Sequence, residues 1–367
     1  MLAQDRISRP PEIDAALRDR PLLLGEAFGE IAGVTSGPLA SLTRQPISGR
    51  QFGAFPFDRD QPGYLCATTP AARPALPLAQ GTRDIGLQRL PARAQYGREV
   101  ARVAALVSDP GNPLHKVVLA RSLIFETDTP IDPMQVALLL SDDPNVLCYC
   151  LPLAGGMGDT RWLVGATPER LLKKRGGDVL STPLAGSARR LPDSGADAEA
   201  GAALLRSDKD KIEHRIVVEY IHDILAPHCR NLDTPARPEL MRTRSMWHLG
   251  TRISGVLRDA DTPCLGLLHA LHPTPAVAGA PLEPALAEIR RAEPFDRDFY
   301  AGTIGWVDDR NNGDWHVTLR CAIIEGRRAQ LFAGAGIVDD SVPQQEIAET
   351  AAKFLAMRQA LGISGIM

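Results

Sequence analysis

Short segments that alternate apolar and polar residues recur along the chain, and long helical stretches separate them. Such alternation predicts β-strands, since successive side chains in a strand point to opposite faces. The predicted strands include NVLCYCLPL, RWLVGAT, TRISGVL, GTIGWVD, DWHVTLRCAII and AQLFAGAGIV. Helices are predicted near 96–109, 131–141, 197–226, 263–271, 282–291 and 343–361. This order favours an α+β fold with large, mostly antiparallel β-sheets rather than a regular βαβ succession.

The 367 residues could form one large domain or two ordinary ones. The main shift in composition falls at 68–97, which is rich in Pro, Ala and Arg and is predicted to be a long connection. It divides an N-terminal β-rich segment, residues 1–95, from a second region, residues 96–363. We expect the two to pack as one folded unit.

The composition, 44% hydrophobic and 23% charged with a net charge of −3, gives no reason to expect nucleic acid or a membrane surface as a partner. No run approaches the roughly 20 apolar residues that span a bilayer, and MLAQDRISRPPEID does not resemble a signal peptide. The six cysteines lack zinc-like spacing. We therefore expect a cytoplasmic protein with buried thiols.

The segment SDKDKIEHRIVVEY is predicted to be a helix with a carboxylate on its apolar face. Glu213 lies above Val217 and Tyr220, beside an expected buried stripe, whereas the other charged residues of the segment are expected to face water. The stripe comprises Ile212, Ile216, Val217, Tyr220, Ile221 and Ile224. The residues expected to face water are Asp208, Lys209, Asp210, Lys211 and Arg215. A buried carboxylate needs a compensating charge, so Glu213 is a candidate metal ligand.

A second helix, VPQQEIAETAAKFLAMRQAL, carries Glu346, Glu349 and Lys353 on one face. Such residues are also typical of a solvated helix face with internal ion pairs. If Glu213 meets them across a cleft, the set suits Mg²⁺, which takes a few carboxylate oxygens and leaves positions for water and substrate.

Lys116 in HKVVLARSL shares its strand face with Val118 and Ala120. It is either a rim lysine that extends to solvent or a desolvated amine whose pKa has fallen far enough to act as a base. Glu169 follows the strand RWLVGAT after Pro168, and it is either an exposed loop residue or a catalytic acid at the strand end.

DWHVTLRCAII is predicted to be one strand with His316, Thr318 and Arg320 on the same face, where Arg320 could receive a carboxylate. Glycines in LFAGAGIV and PLAGSARR could let backbone N–H groups approach an anion, although similar glycines occur in ordinary turns and bulges. The candidate positions are Gly334, Gly336, Gly186 and Ser187. His248 in MWHLGTRI is a further candidate for the site.

Many of these segments, in one order, resemble the chorismate-utilising enzymes, and most closely the isochorismate synthase branch. The motifs are KVVLAR, VGATPERLL, PLAGSARR, KDKIEH, WHLGTRI, LHPTPAVAG, FYAGTIGW, TLRCAII, LFAGAGIV and EIAETAAK, and they cover roughly residues 96–361. The resemblance implies the fold of that family and chorismate as a small-molecule substrate. It also implies a monomer with no obligatory amidotransferase subunit.

The resemblance further implies a mechanism. Mg²⁺, held by Glu213 and Glu349 with Glu346 through water, would bind the ring carboxylate. Lys116 would take a proton from the water that attacks C2. Glu169 would protonate the C4 hydroxyl as it leaves. Base and acid therefore need different surroundings, which keep the lysine neutral and the glutamate protonated.

The remaining matches imply contacts with the substrate. Arg320 and Tyr300 correspond to positions that bind the enolpyruvyl carboxylate, and Gly334 and Gly336 to backbone donors. Lys353 would offset charge near the metal. His248 would line the ring.

Three alternatives stay open at this point. The first is an aminating subunit that depends on an amidotransferase; Lys116 argues against it, because it marks water as the nucleophile and ammonia-using relatives carry glutamine in its place. Ala276 stands where salicylate synthases, which also eliminate pyruvate, tend to carry threonine. A non-catalytic chorismate-binding subunit is the third alternative, and the presence of Lys116, Glu169, Glu213 and Glu349 argues against it.

Overall fold

Antiparallel β-structure dominates the computed structural model, which describes Leu17 and residues 20–72, 84–153 and 160–363. Within these ranges seventeen strands are joined into one sheet and three into a second. Every strand pair recorded there is antiparallel. The α+β prediction is confirmed.

The strands of the large sheet are β1 (Pro21–Leu24), β2 (Ala27–Gly37), β3 (Gln51–Phe55), β4 (Gly63–Pro70), β5 (Asp84–Leu90), β6 (Lys116–Thr127), β7 (Leu147–Leu153), β8 (Arg161–Thr167), β9 (Arg170–Arg175), β10 (Asp178–Thr182), β12 (Cys229–Asp233), β15 (Ile253–Leu257), β16 (Gly279–Ala280), β17 (Thr303–Val307), β18 (Gly313–Val317), β19 (Cys321–Glu325) and β20 (Arg328–Ile337). The small sheet contains β11 (Leu184–Arg189), β13 (Glu239–Arg242) and β14 (Met246–Gly250).

The helices are α1 (Leu39–Leu42), α2 (Arg93–Ser108), α3 (Pro133–Leu140), α4 (Ser194–Arg206), α5 (Asp208–Leu225), α6 (Cys264–Leu271), α7 (Leu282–Ala292), α8 (Pro343–Lys353) and α9 (Leu355–Ala360), with a 3₁₀ turn at Ala226–His228. Among the described residues, no helix is long and apolar enough to cross a membrane. All six cysteines lie in the described residues and are buried, and they form no disulfide there.

The N-terminal strands pair directly with strands from much later in the chain. β1 pairs with β7, and β3 pairs with β17 over five residues of each. The predicted connection at 68–97 is wrong in part, because β4 continues to Pro70, β5 begins at Asp84 and α2 begins at Arg93. Residues 73–83 of that connection lie outside the described residues. The division at residue 95 stays a prediction.

Two predicted long helices are each divided in two. The helix predicted at 197–226 breaks at Ser207, whose extended backbone ends α4 and whose Oγ accepts a hydrogen bond from the Asp210 N–H at 3.2 Å as the N-cap of α5. The helix predicted at 343–361 changes direction at Phe354, between α8 and α9. Helical periodicity continues across both breaks, which is why it could not reveal them.

The buried face of α5 differs from the predicted stripe. It consists of Glu213, His214, Val217, Ile221 and Leu225, and it packs against β11 and neighbouring elements. Ile212, predicted to be buried, is 38% exposed. Glu213 is buried at one edge of this face, as predicted.

The predicted strand DWHVTLRCAII is also wrong as a single element. It forms β18 and β19, and the three residues between them leave the sheet ladder. Thr318 donates its N–H to the Gly302 carbonyl at 2.9 Å, and Arg320 adopts a left-handed φ of 50°. An alternating pattern cannot report a left-handed residue, so Arg320 does not share a simple strand face with His316.

Candidate active site

Lys116 and Glu213 form a buried ion pair where β6 begins beneath α5. The Lys116 side chain is 0% exposed, so it is not a rim lysine, and its Nζ lies 3.0 Å from Glu213 Oε1. The two groups do not have the geometry of a hydrogen bond, and Lys116 Nζ has no other hydrogen-bond partner among the described residues. The amine is held by charge and keeps its donor positions for another group.

Gly336 of β20 leaves the space that this ion pair occupies. It is opposite Val118 of β6 in the ladder. A Cβ at position 336 would stand 2.1 Å from Glu213 Oε1 and 2.8 Å from Lys116 Cε, far inside van der Waals contact. The glycine leaves room for the ion pair as it stands, and a larger residue would displace one or both of these side chains. Its predicted role as a backbone donor stays a prediction.

Glu169 is buried at the end of β8 and is not an exposed loop residue. It is 2% exposed, its N–H donates to Thr167 Oγ1 at 3.3 Å, and its Oε1 has no partner among the described residues. Burial raises the pKa of Glu169 to about 8, although the charge of Lys116 and the N–H of Leu184 act in the opposite direction. The carboxyl is therefore protonated near neutral pH.

Glu346 of α8 is buried and Glu349 is half-buried, so the two do not form a solvated face. Glu349 Oε1 lies 2.6 Å from Lys353 Nζ and accepts a hydrogen bond from Ser187 Oγ at 3.0 Å. Burial acts to raise the pKa of Glu349, but these cationic and hydrogen-bonding partners lower it overall. Glu346 is 0% exposed and pairs with Lys209, and burial together with the charge of Glu349 raises its pKa.

Lys209 was predicted to face water, and that prediction is wrong. Its side chain is 19% exposed, and its charge interacts with Glu346, Glu349 and Glu213. The signal was available, because Lys209 precedes Glu213 by one helical turn and therefore shares its face. Asp210 is also partly buried, against Gly186.

The three carboxylates predicted to bind metal are each paired with a lysine. In the part of the chain that the structure describes, no group of three or more His, Cys, Asp or Glu side chains is arranged to hold a metal ion. The donor set nevertheless fits a hard cation: all three supply carboxylate oxygens near Lys209, and Glu346 Oε2 is buried without a partner among the described residues. Metal ligation by Glu213, Glu346 and Glu349 stays a prediction.

Arg320 and Tyr300 lie together on the other side of the site. Arg320 is half-buried, and burial lowers its pKa, while the nearby Tyr300, Glu349 and Glu169 act to raise it. Tyr300 is 3% exposed and stacks on Phe332 with ring centroids 5.1 Å apart. A fixed aromatic hydroxyl next to a guanidinium can receive a carboxylate.

The predicted glycines and His248 form the rest of the wall of the site. Lys353 Nζ donates to the Gly334 carbonyl at 2.9 Å, and a Cβ at 334 would stand 2.8 Å from Tyr300 Oη. Gly186 has a φ of 78°. His248 is opposite Ser187 in the small sheet, and burial lowers its pKa well below the usual value. The imidazole is therefore neutral.

These residues enclose a cavity of about 50 Å³. The predicted residues that line it are Glu169, Gly186, Ser187, Glu213, His248, Ala276, Tyr300, Arg320, Gly334, Gly336 and Lys353. Lys116 reaches the cavity through its pair with Glu213, and Glu349 through Ser187. The sequence motifs thus converge on one enclosed, highly charged site.

The chain matches the family described as chorismate binding enzyme over residues 68–362, and it belongs to that family. Two curated relatives are isochorismate synthases. The vibriobactin-specific enzyme of Vibrio cholerae is 35% identical over 99% of this chain and 94% of its own length. EntC of Escherichia coli is 38% identical over 85% of this chain and 81% of its own.

A solved structure confirms the fold that the resemblance implied. MenF, the menaquinone-specific isochorismate synthase of Escherichia coli, superimposes with a TM-score of 0.79 at 25% identity, covering 94% of this chain and 90% of its own. The similarity first seen in motifs between residues 96 and 361 therefore extends to the fold of 94% of the chain.

Proposed function

We propose that this protein is an isochorismate synthase, which adds water at C2 of chorismate and removes the C4 hydroxyl. The observation that carries the proposal is one cavity lined by Glu169 and Glu213, where Glu213 pairs with the buried Lys116 and burial raises the pKa of Glu169 to about 8. The reaction needs a base and an acid that act on opposite sides of one ring.

Lys116 is the proposed base. Its amine lacks a hydrogen-bond partner among the described residues and lies beside Glu213. It acts in its neutral form, after the proton of the ion pair has left, and then takes a proton from a water at that position. Glu169 is the proposed acid, because it is protonated near neutral pH and its Oε1 is free to donate towards a departing hydroxyl. Lys116 is 0% and Glu169 2% exposed, so bulk water has little access to either group.

We propose Mg²⁺ as the cofactor, held by Glu213 and Glu349 with Glu346 through water. When bound, the ion would supply positive charge to the ring carboxylate of the substrate. The site's lysine–glutamate pairs already balance one another. A divalent cation and a substrate with a pair of carboxylates add charges that cancel, so they suit this site as a pair better than either does alone.

The rest of the cavity is proposed to hold the substrate. Arg320 and Tyr300 would bind the enolpyruvyl carboxylate, His248 would line the ring, and Lys353 would offset charge beside the metal. At Gly186, Ser187, Gly334 and Gly336 the backbone N–H groups would approach the substrate closely. We further propose that the enzyme acts in the cytoplasm as a monomer without an amidotransferase subunit.

Bifunctional salicylate synthesis is the second candidate, and Ala276 on the cavity wall is the observation that bears on it. We propose that Ala276 favours release of isochorismate without elimination of pyruvate.

Incubation of purified protein with chorismate, with and without Mg²⁺, followed by chromatography tests the function. The expected result is isochorismate, formed only with Mg²⁺ and approaching a mixture with chorismate. Salicylate and pyruvate formed at rates proportional to enzyme would assign the bifunctional activity. No turnover, even with ammonium supplied, would contradict catalysis and leave a binding protein.

A further inference from the structure

A second, much larger cavity of about 600 Å³ adjoins the catalytic one at Ser187 and Glu349. Its volume is within the range of small-molecule sites. Cationic side chains are its main feature, and they come from five separate elements. The arginines that line it are Arg89, Arg93, Arg121, Arg189 and Arg358.

Acidic side chains do not balance these arginines. Among the described lining residues the one acid is Glu349, which is already paired with Lys353. Arg121 is only 5% exposed; its Nη1 donates to Ile347 O and Thr350 Oγ1, at 3.3 and 3.1 Å, and its Nε has no partner among the described residues. A buried guanidinium with an unused donor favours an anion from outside the protein.

The start of α2 adds to the positive potential. Arg93 is the first residue of this sixteen-residue helix, its N-cap Ala92 makes no side-chain cap, and the first turn contains no acid. Helix N-termini carry partial positive charge and prefer anions, so an arginine there is electrostatically unfavourable unless an anion binds.

The remaining wall is apolar. It is formed by Leu87, Leu123, Phe125, Ile347, Leu355 and neighbouring alanines. Inorganic phosphate would use the arginines alone. A ring that bears carboxylates would use both surfaces, so the cavity fits an anion with an apolar body.

A neighbouring cavity of about 530 Å³, which also contacts Arg320, is a weaker candidate. Two of its arginines are already engaged: Arg190 lies 2.7 Å from Asp197, and Arg244 lies 3.5 Å from Asp142. The cavity beside Glu349 instead contains the buried Arg121, whose Nε has no partner among the described residues.

We propose that the arginine-lined cavity is a second binding site for the ring-bearing dicarboxylate substrate, which is held there before it passes Ser187 and Glu349 into the catalytic cavity. This inference rests on the proposed function. The catalytic cavity, at about 50 Å³, is too small for such a molecule until its side chains move, whereas the outer one has room for it. Ser187 lines both cavities, so the two adjoin at this residue.

Steady-state kinetics with chorismate and Mg²⁺ test the proposal with two double variants. Arg89→Gln/Arg93→Gln removes two exposed rim charges; Arg230→Gln/Arg237→Gln removes two exposed arginines outside both cavities. We expect the rim variant to lose about three- to tenfold in kcat/KM at low ionic strength, mainly through KM, and to show a weaker salt dependence than the wild type. Equal behaviour of the two double variants would overturn the proposal.

A binding measurement separates failure of this inference from failure of the proposed function. The fluorescent ring-bearing anion 1-anilinonaphthalene-8-sulfonate should bind the wild type and the control variant with the same affinity and the rim variant more weakly. Chorismate should displace it, whereas phosphate at the same concentration should not. Unchanged binding in the rim variant would overturn the second site. If rim-dependent binding and displacement persist in a protein that forms no isochorismate, the function has failed and the cavity still binds ring carboxylates.

Discussion

Gly336 lies directly against Glu213: a single Cβ at 336 would stand 2.1 Å from the Glu213 carboxylate oxygen. The two residues belong to β20 and α5, which are far apart in the sequence. Because Gly336 has no side chain, Glu213 of α5 can lie next to the Lys116 amine. The site depends on this close approach of a helix to a strand.

Gly336→Ala is expected to lower kcat/KM by about a hundredfold, because the new methyl group must push Glu213 away from Lys116. Thermal unfolding should show a loss of about 1–3 kcal/mol from overpacking. Gly33→Ala is the matched control, since a Cβ there meets nothing within 4 Å. An alanine variant with wild-type kinetics would show that the ion pair is not needed.

Lys116→Ala is expected to reduce water addition by about a thousandfold or more, as removal of a general base does, while chorismate binding remains measurable. The variant leaves Glu213 buried without its cation, so its melting temperature should fall. Lys116→Gln controls for this, because its amide can donate to Glu213 but cannot accept the proton. Full activity in either variant would remove Lys116 from the mechanism.

Glu213→Gln is expected to weaken the dependence of turnover on Mg²⁺ by at least about tenfold in apparent affinity and to lower kcat together with it. Glu219→Gln, on the exposed side of the same helix with 65% of its side chain accessible, should match the wild type. Magnesium titrations of activity measure both variants. An unchanged magnesium response in Glu213→Gln would place the metal elsewhere.

The pH profile of kcat/KM should fall above about pH 8, by about tenfold for each further unit, as Glu169 loses its proton. The sign follows from its role: the protonated carboxyl is the active form, and it predominates below the raised pKa. Glu169→Gln cannot donate a proton and should abolish both the activity and this alkaline limb. A limb that persists in the residual activity of Glu169→Gln would belong to another group.

The sequence predicted the site residues better than their pairing. Motif order identified Lys116, Glu169 and Glu213, and all of these lie at the site. Lys209 was placed wrongly because its partner Glu346 is on another helix, and local periodicity contains no information about contacts between elements. A polar residue on a helix can face water or a buried acid with the same spacing.

Backbone conformation was the second feature that the sequence pattern could not predict. Arg320 continues an alternating pattern, yet it has a left-handed φ that no alternation reveals. Ser207 is a good N-cap in the middle of a continuous helical pattern, so the pattern alone gave one helix where there are two. Beside Arg320 the Thr318 N–H bonds to the distant Gly302 carbonyl, and at Ser207 the side chain caps the next helix through Asp210, and alternation or periodicity reports neither bond.

The pairing of β1 with β7 and of β3 with β17 bears on how the chain can diverge. The family match begins at residue 68, after these N-terminal strands. Main-chain amides and carbonyls make the ladder, and they are the same for nearly every amino acid. A segment that contributes chiefly through its backbone can accept many substitutions, provided that alternation and side-chain bulk persist. The N-terminal strands can therefore differ widely among homologues while still completing the same sheet.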